Sequence, residues 1–102
     1  MRVDNKLIGN TPLIKIWYKL DGILKYLYVK YEAFQLTGSI KDRVAYYMIK
    51  KAKESGTLKE KMPIVEATSG NTGIALSAQG KYFGHEVYIF MPNWVSEERV
   101  KL

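Results

Sequence analysis

The chain contains no cysteine, and no apolar run in it approaches the roughly 20 residues that a membrane-spanning helix needs. The absence of cysteine excludes disulfides, thiolate nucleophiles and thiolate metal sites. The first residues, Met1 to Lys6, lead into no signal-like apolar segment. We therefore expect a soluble, cytoplasmic protein that has no membrane partner and no metal site.

The composition indicates a folded chain with a basic surface. Hydrophobic residues make up 47% of the 102 positions, which is enough for a core, and the formal net charge is +6. Much of the positive excess falls on five lysines around the end of one predicted helix, namely Lys50, Lys51, Lys53, Lys59 and Lys61. No nucleic-acid-binding motif accompanies these lysines, so we interpret them as a solvated face and expect no nucleic-acid partner.

Two alternating runs predict a β-hairpin near the N-terminus. Apolar residues alternate with polar or aromatic ones from Leu13 to Leu20 and again from Ile23 to Tyr31. The two runs are joined by Asp21-Gly22, and both of these residues tolerate the positive φ of a tight hairpin turn. The sequence therefore predicts a hairpin over Leu13–Tyr31, within a first unit of residues 1–40 that ends in a loop.

A polar turn, Thr37-Gly38-Ser39-Ile40, leads into an amphipathic helix that begins at Lys41. Apolar residues recur there with a period of about 3.6 residues, at Val44, Ala45, Met48, Ile49 and Ala52. We expect this stripe to pack on a sheet. Ser39 and Asp42 have the spacing of a weak capping box, which predicts an N-cap at Ser39 and places Lys41 in the first turn. Gly56 is predicted to end the helix in the left-handed conformation.

Lys41 is the candidate working residue of this helix. The partial positive charge of a helix N-terminus disfavours the ammonium form and favours the neutral amine, which is a nucleophile toward aldehydes. The alternative interpretation is a solvated lysine that Asp42 neutralises, since ion pairs are common in the first turn of a helix. This feature alone leaves both interpretations open.

The second half of the chain predicts strand–helix units with a parallel sheet. Pro63 precedes a short strand, Ile64–Ala67, and after a polar turn a helix rich in small residues continues from Ile74 to about Tyr82. Residues 86–91 predict a second buried strand, and Ser96 predicts the cap of a further helix. This order of elements calls for parallel strands. We assign residues 41–102 to an incomplete α/β domain, because the chain stops within its last predicted helix.

The turn from Thr68 to Gly73 is a candidate anion site. It places hydroxyls, a carboxamide and glycines at a helix N-terminus, where backbone N–H groups point outward and the helix dipole favours an anion. It lacks the residues of a P-loop and the Gly-x-Gly-x-x-Gly pattern of a dinucleotide site, so nucleotide ligands lose support. A carboxylate or a phosphate is the expected ligand. The alternative is a capped helix whose hydroxyls bind no ligand.

Four motifs in this order and spacing carry a resemblance to a known family. They are Ile8-Gly9-Asn10-Thr11-Pro12-Leu13, Gly38-Ser39-Ile40-Lys41-Asp42-Arg43, Thr68-Ser69-Gly70-Asn71-Thr72-Gly73, and Met91-Pro92 followed by Ser96-x-Glu98-Arg99. The chain resembles the N-terminal part of cysteine synthase (O-acetylserine sulfhydrylase), a pyridoxal-phosphate enzyme of the tryptophan-synthase-β fold group. The resemblance covers essentially the whole chain and implies the incomplete N-terminal part of a two-domain, fold type II enzyme.

The resemblance also implies the roles of the site residues. Lys41 would form the internal aldimine with pyridoxal 5'-phosphate, and Asn71 would bond the ring hydroxyl oxygen of the cofactor. The substrate's α-carboxylate would be held by Thr68, Ser69, Asn71 and Thr72. The implied reaction is a β-replacement that makes L-cysteine from O-acetylserine and sulfide through an aminoacrylate. The family further implies a homodimer at full length and serine acetyltransferase as a partner.

Several alternatives stay open beside this interpretation. The pair Asp42-Arg43 resembles the pattern of sulfhydrylases and cystathionine β-synthases, whereas serine/threonine dehydratases tend to have Arg-Gly-Ala after the lysine, so deamination is disfavoured. In the family the loop that holds the cofactor phosphate lies beyond Leu102, so we expect this chain alone to be inactive, and a catalytically dead binding module is a further alternative. Gln35-Leu36 departs from the Asn-Pro of many members. Four other residues are predicted to be structural: His85, Tyr46, Tyr47 and Tyr82.

Overall fold

The computed structural model describes residues 7–94 and 97–101 as a mixed α/β structure. The elements are β1 (Leu13–Leu20), β2 (Ile23–Lys30), α1 (Lys41–Glu54), β3 (Ile64–Ala67), α2 (Asn71–Tyr82), β4 (Val87–Phe90) and α3 (Glu97–Lys101), with a 3-10 turn at Glu32–Phe34. The predicted helix cap at Ser96 lies outside the described residues. Within the part of the chain that is described, no helix has both the length and the apolar character needed to cross a membrane.

The predicted hairpin is confirmed. Strands β1 and β2 pair antiparallel in a register that runs from Leu13 opposite Lys30 to Leu20 opposite Ile23. Asp21 and Gly22 both have positive φ, at 51° and 77°, as a tight turn between right-handed twisted strands requires. The side chains of both strands are exposed except for a half-buried Val29. The hairpin therefore projects from the rest of the molecule, whose radius of gyration is 17.1 Å, against about 13 Å for a compact domain of this length.

Cross-strand packing on one face stabilises the projecting hairpin. The rings of Trp17 and Tyr26 lie 5.1 Å apart between centroids. The ammonium of Lys15 lies 4.5 Å from the centroid of Trp17 and 4.1 Å from that of Tyr26, which is within the range of a cation–π interaction. These contacts join β1 to β2 and contribute stability that a lone two-stranded hairpin otherwise lacks.

The strand–helix–strand prediction for the second half is confirmed, with one shifted boundary. Strands β3 and β4 are parallel, with Ile64 opposite Val87 and Ala67 opposite Phe90, and α2 connects them. We predicted that the polar turn extends to Gly73 and that the helix follows it. Instead α2 begins at Asn71, because the N–H groups of Gly73 and Ile74 already bond the carbonyl oxygen of Gly70, at 3.0 and 3.4 Å.

Helix α1 packs against α2, and the prediction that it lies on a sheet is wrong. The buried core consists of Ala45, Ile49, Ala75 and Leu76, with Leu58, Ile64, Phe83 and Val87 packed around it. A single neighbouring helix covers only a narrow stripe of α1. Of the three other apolar residues of the predicted stripe, Val44 and Met48 are consequently 43% and 48% exposed, and Ala52 is half-buried.

Two glycines let α2 lie close to the strands. A Cβ atom at Gly80 would lie 2.3 Å from Cγ2 of Val87, and one at Gly73 would lie 2.9 Å from Cγ2 of Thr68. Glycine costs a helix interior about 1 kcal/mol relative to alanine, so the close approach explains why α2 contains it twice. The contact at Gly73 holds the first turn of α2 against the residue that follows β3.

His85 joins the far end of α1 to the loop before β3. Its buried imidazole contacts the carbonyl oxygen of Met62 through Nδ1 at 2.8 Å and the ammonium of Lys53 through Nε2 at 3.4 Å. An ammonium can only donate, so Nε2 accepts and Nδ1–H donates to the carbonyl. These contacts support the predicted structural role of His85.

Candidate active site

Lys41 is the first residue of α1, and its side chain is exposed. The predicted position of the lysine in the first turn is confirmed. The N-cap position is Ile40, one residue after the predicted Ser39, and Ile40 has no side-chain cap. Ser39 nevertheless accepts the N–H of Lys41 through Oγ at 3.2 Å, which is the hydrogen bond of an N-cap side chain. Two further contacts hold the start of α1.

Asp42 supplies the first of these contacts, with a partner that the capping-box prediction did not foresee. The Asp42 side chain is 0% exposed, and its carboxylate accepts the Thr37 N–H at 2.6 Å and the Thr37 hydroxyl at 2.9 Å. The Asp42 carboxylate therefore does not bond the backbone N–H of Ser39, as a capping box requires, and it does not pair with Lys41. Among the residues that the structure describes, the Lys41 ammonium has no ion-pair partner, which argues against a lysine neutralised by Asp42. The amine is accessible to a ligand, and the turn before it is fixed.

Glu32 and Arg43 form the second contact, which the sequence analysis missed. The Glu32 carboxylate accepts two hydrogen bonds from the Arg43 guanidinium, from Nε at 2.8 Å and from Nη2 at 3.0 Å. It also accepts hydrogen bonds from the Thr11 hydroxyl and the Gln35 amide, each at 2.6 Å. The bonds from Arg43, then Thr11 and Gln35, lower the pKa of Glu32 to about 2, and Glu32 in turn raises the pKa of Arg43.

The lowered pKa of Glu32 sets the pH range over which this network stabilises the fold. Its ordinary value is 4.5, and in the folded protein it is about 2. A carboxyl group whose pKa is lower in the folded state contributes stability that is fully present above the unfolded value. That stability is lost as the pH falls from about 4.5 through about 2, so the network is intact at neutral pH.

Gln35 extends the network to the first sequence motif. Its side chain is 4% exposed, and its carbonyl oxygen accepts the N–H of Gly9 at 2.7 Å. Gly9 has a φ of +79°, and a Cβ atom there would lie 3.0 Å from Nη1 of Arg43. The residue that departs from the common family pattern thus connects residues 8–11 with the start of α1.

The turn after β3 forms a second part of the site. Thr68 continues the sheet by donating its N–H to the carbonyl oxygen of Phe90 at 3.0 Å, and its hydroxyl accepts the Gly70 N–H at 3.4 Å. The N-cap of α2 is Gly70 in an extended conformation, so that position offers no side chain to cap the first N–H groups. Asn71 is exposed, and Ser69 and Thr72 are half-buried. An uncapped helix N-terminus flanked by hydroxyls suits an anionic ligand.

Contacts between the two helices place both parts of the site at one end of the molecule. Ala45 and Ala75, each one turn into its helix, share the buried core, and near the other end the Lys53 ammonium lies 5.8 Å from the Phe83 ring centroid. The helices therefore run in the same direction, and Lys41 and Asn71 are the first residues of each. Among the described residues, no hydrogen bond joins Lys41 to Thr68, Asn71 or Thr72. This end follows the carboxyl end of β3, where α/β sheets bind their ligands.

Comparison with known proteins agrees with this geometry. Residues 5–102 match the model of the family described as pyridoxal-phosphate dependent enzymes. The chain belongs to this family. The predicted cofactor class is confirmed with it, since pyridoxal phosphate is the cofactor of the family. The mixed α/β structure is the N-terminal part of a fold type II pyridoxal-phosphate enzyme, as predicted.

Individual relatives include cysteine synthases. The chain is 41% identical over 96 residues to a probable cysteine synthase of Bacillus subtilis (strain 168), which covers 94% of the chain and 31% of the relative. It is 44% identical over 95 residues to a cystathionine beta-synthase of Apis mellifera, and this match covers 91% of the chain and 19% of that relative. The resemblance to cysteine synthase is confirmed, and cystathionine beta-synthase also occurs among the relatives.

Solved structures of the family have the same fold. A hydrogen sulfide-producing enzyme from Fusobacterium nucleatum superimposes with a TM-score of 0.93 and 52% identity, over 96% of this chain and 29% of that one. A variant of that enzyme was crystallised with an alpha-aminoacrylate intermediate. The chain thus spans 31%, 19% and 29% of the lengths of these three relatives.

The residues present fit the reactive end of pyridoxal phosphate. An aldehyde requires an accessible amine, and Lys41 offers one on a turn that Asp42 fixes. A ring hydroxyl requires a hydrogen-bonding partner, and the Asn71 carboxamide is exposed at the start of α2. An amino-acid carboxylate requires several donors, and the first turn of α2 offers N–H groups and hydroxyls.

Proposed function

We propose that the full-length protein makes L-cysteine from O-acetylserine and sulfide through an aminoacrylate intermediate, with pyridoxal phosphate as cofactor. The observation that carries the proposal is the exposed Lys41 amine at the same end of the molecule as the uncapped N-terminus of α2. When bound, the cofactor supplies an aldehyde for amines and a ring that accepts electron density from the α-carbon of the substrate.

Each candidate residue has a separate task in this proposal. Lys41 would hold the cofactor covalently and, as a neutral amine, would take the proton from the α-carbon of the substrate. Asn71 would donate to the ring hydroxyl oxygen of the cofactor. Thr68, Ser69, Asn71 and Thr72 hold the α-carboxylate, together with the first N–H groups of α2. Movement of this turn over the substrate excludes water from the reactive product of elimination.

Cystathionine β-synthesis is the second candidate, because the Apis mellifera relative bears that name. The two reactions differ in the nucleophile that replaces the β-substituent, which is sulfide in one and the thiol of homocysteine in the other. The full-length protein should turn over O-acetylserine with sulfide faster than serine with homocysteine. Turnover with serine and homocysteine alone would support the second candidate, and release of ammonia from serine would support the dehydratase.

Assembly and domain organisation complete the proposal. We expect a homodimer at full length, with serine acetyltransferase as a partner. We place the boundary near residue 40, where α1 begins, between residues 1–40 and the α/β unit of residues 41–102. The bonds from Arg43 to Glu32 and from Thr37 to Asp42 cross this boundary and fix how the two parts meet.

The 102-residue chain by itself is expected to bind pyridoxal phosphate weakly and to show no sulfhydrylase turnover. In the family the loop that holds the cofactor phosphate lies beyond Leu102. A phosphate left in water forfeits several charge-assisted hydrogen bonds, each worth about 1.5–3 kcal/mol. Absorbance titration of the isolated chain with the cofactor measures this affinity. Tight stoichiometric uptake accompanied by turnover would contradict the expectation.

Replacement of Asn71 by alanine should slow the reaction of the full-length holoenzyme with O-acetylserine by about 100-fold, because a donor that acts on cofactor and substrate is lost. Covalent attachment of the cofactor at Lys41 should persist, since that bond does not involve the carboxamide. Stopped-flow absorbance measures the rate. Ser77→Ala, at an exposed position further along α2, is the matched control. An Asn71→Ala enzyme that reacts at the unmodified rate would remove this residue from the mechanism.

A further inference from the structure

The Glu32 carboxylate is the centre of a polar network outside the residues that the proposed reaction uses. Its two oxygens accept four hydrogen bonds, from Arg43 twice, from Thr11 and from Gln35, all at 3.0 Å or less. Thr11 and Gln35 are 6% and 4% exposed. The Glu32 and Arg43 side chains are 19% and 39% exposed, so the network is partly buried. Several bonds that share one carboxylate hold their members in one arrangement. The segments held together are residues 8–11, the 3-10 turn and the start of α1.

The first turn of α1 depends on such side-chain contacts. Ile40, the N-cap residue, has no side-chain cap, and the one bond from a side chain to the Lys41 N–H among the described residues, from Ser39, is exposed and 3.2 Å long. The opening backbone bonds, from Asp42 N–H to Ser39 and from Arg43 N–H to Ile40, are of the short 3-10 type, at 3.3 and 3.1 Å. A weakly capped helix end frays, so the position of the Lys41 backbone also depends on what anchors the two residues after it. Asp42 is anchored on Thr37, and Arg43 is anchored on Glu32.

We propose that Glu32 is a positioning residue for the reaction at Lys41, and that it acts through its paired hydrogen bonds to Arg43. This inference rests on the proposed role of Lys41. A two-point bond between a planar guanidinium and a carboxylate fixes orientation as well as distance, so it holds the first turn of α1 in one rotation about the helix axis. The direction in which the Lys41 amine leaves the helix follows from that rotation.

Glu32→Gln tests the proposal without changing the size of the side chain. The substitution removes the charge and puts an NH2 group among donors, so one partner of the network loses its acceptor. In the full-length apoprotein, hydrogen–deuterium exchange at the amides of residues 37–43 should become about tenfold faster. Exchange in the second half of α1 should stay unchanged. Glu54→Gln is the matched control, because this exposed carboxylate forms its ion pairs within the described part of the chain with Lys50 and Lys51 at the other end of the helix, at 3.8 and 3.4 Å.

The holoenzyme supplies a second readout that general destabilisation would not produce. Misplacement of a reacting group by about 1 Å costs up to about 100-fold in rate. Glu32→Gln should therefore lower kcat by about 10- to 100-fold while KM changes by less than about threefold. Peptide mapping should still find the cofactor on Lys41 in the wild type and in the variant.

The outcomes separate this inference from the proposed function. If the cofactor is on Lys41 but Glu32→Gln retains the wild-type kcat, the positioning role is wrong and the proposed function stands. If the wild-type cofactor is on another lysine, both fall. Faster exchange along the whole of α1, with kcat and KM altered together, shows a general stability role and overturns the inference. If Glu32→Gln does not fold, Arg43→Lys keeps the charge, loses the paired bond, and is decided by the same two readouts.

Discussion

Alanine in place of Lys41 is expected to abolish covalent binding of pyridoxal phosphate in the full-length protein and to lower kcat/KM with O-acetylserine and sulfide by at least about 1,000-fold. The expectation follows from the position of the residue. Its amine is exposed at the first position of α1 and has no ion-pair partner among the described residues. It lies at the end of the molecule where α2 presents its uncapped N-terminus. The other candidate site residues, Thr68, Ser69, Asn71 and Thr72, have no basic side chain that could take the proton from the α-carbon.

The matched control for this variant is Lys50→Ala. Lys50 lies on the same helix, its side chain is 47% exposed, and it contacts Glu54 at 3.8 Å, a surface ion pair of small energetic effect. We expect the control to retain cofactor binding and activity within about twofold, since isolated surface charges contribute little. A Lys41→Ala enzyme that keeps its visible cofactor absorbance and more than a tenth of its activity would contradict the proposed role.

Alanine in place of Asp42 is expected to lower the free energy of unfolding by about 3 kcal/mol. The carboxylate is fully buried and accepts both the N–H and the hydroxyl of the half-buried Thr37, so its removal takes the acceptor from both donors. Hydrogen bonds to charged groups contribute about 1.5–3 kcal/mol each, so the loss of two gives a change of this size. Urea unfolding of the full-length protein measures the change.

Asp21→Asn is the matched control for Asp42. Asp21 is an exposed carboxylate at a positive φ of 51° in the hairpin turn, a conformation that asparagine also tolerates. We expect its free energy of unfolding to change by less than about 0.5 kcal/mol, as for ordinary surface substitutions. A change below about 1 kcal/mol for Asp42→Ala would mean that the turn before Lys41 does not depend on this carboxylate.

The sequence predicted the hairpin and the strand–helix–strand unit because their signals are local. Asp21-Gly22 accepts the backbone angles of a tight turn whatever surrounds it, and alternation on both sides fixes the register. The start of α2 was less predictable for the opposite reason. Gly73 was taken for a turn residue, yet it lies inside the helix, at a position where a larger side chain would meet Thr68. That contact is not visible in the local pattern.

The same limit applies to the candidate site. Lys41, Asn71 and the polar turn were recognised from local motifs, and the structure brings both helix starts to one end. The partners of Asp42 and Glu32 were not recognised. Spacing alone suggested Ser39 as the partner of Asp42, whereas the folded turn brings Thr37 to the Asp42 carboxylate. Arg43 bonds Glu32 and Thr11, which lie 11 and 32 residues away in the sequence. Contacts over such separations depend on the tertiary fold, which no local pattern contains.

The attachment site of the cofactor is the most direct measure of the proposed function. Borohydride reduction of the full-length holoenzyme converts the labile bond between cofactor and lysine into a stable one, and peptide mapping then locates the adduct. The predicted result is a single pyridoxyl group on Lys41. An adduct on Lys50, on Lys51 or on any other lysine would contradict the proposed role of Lys41 and the site built around it.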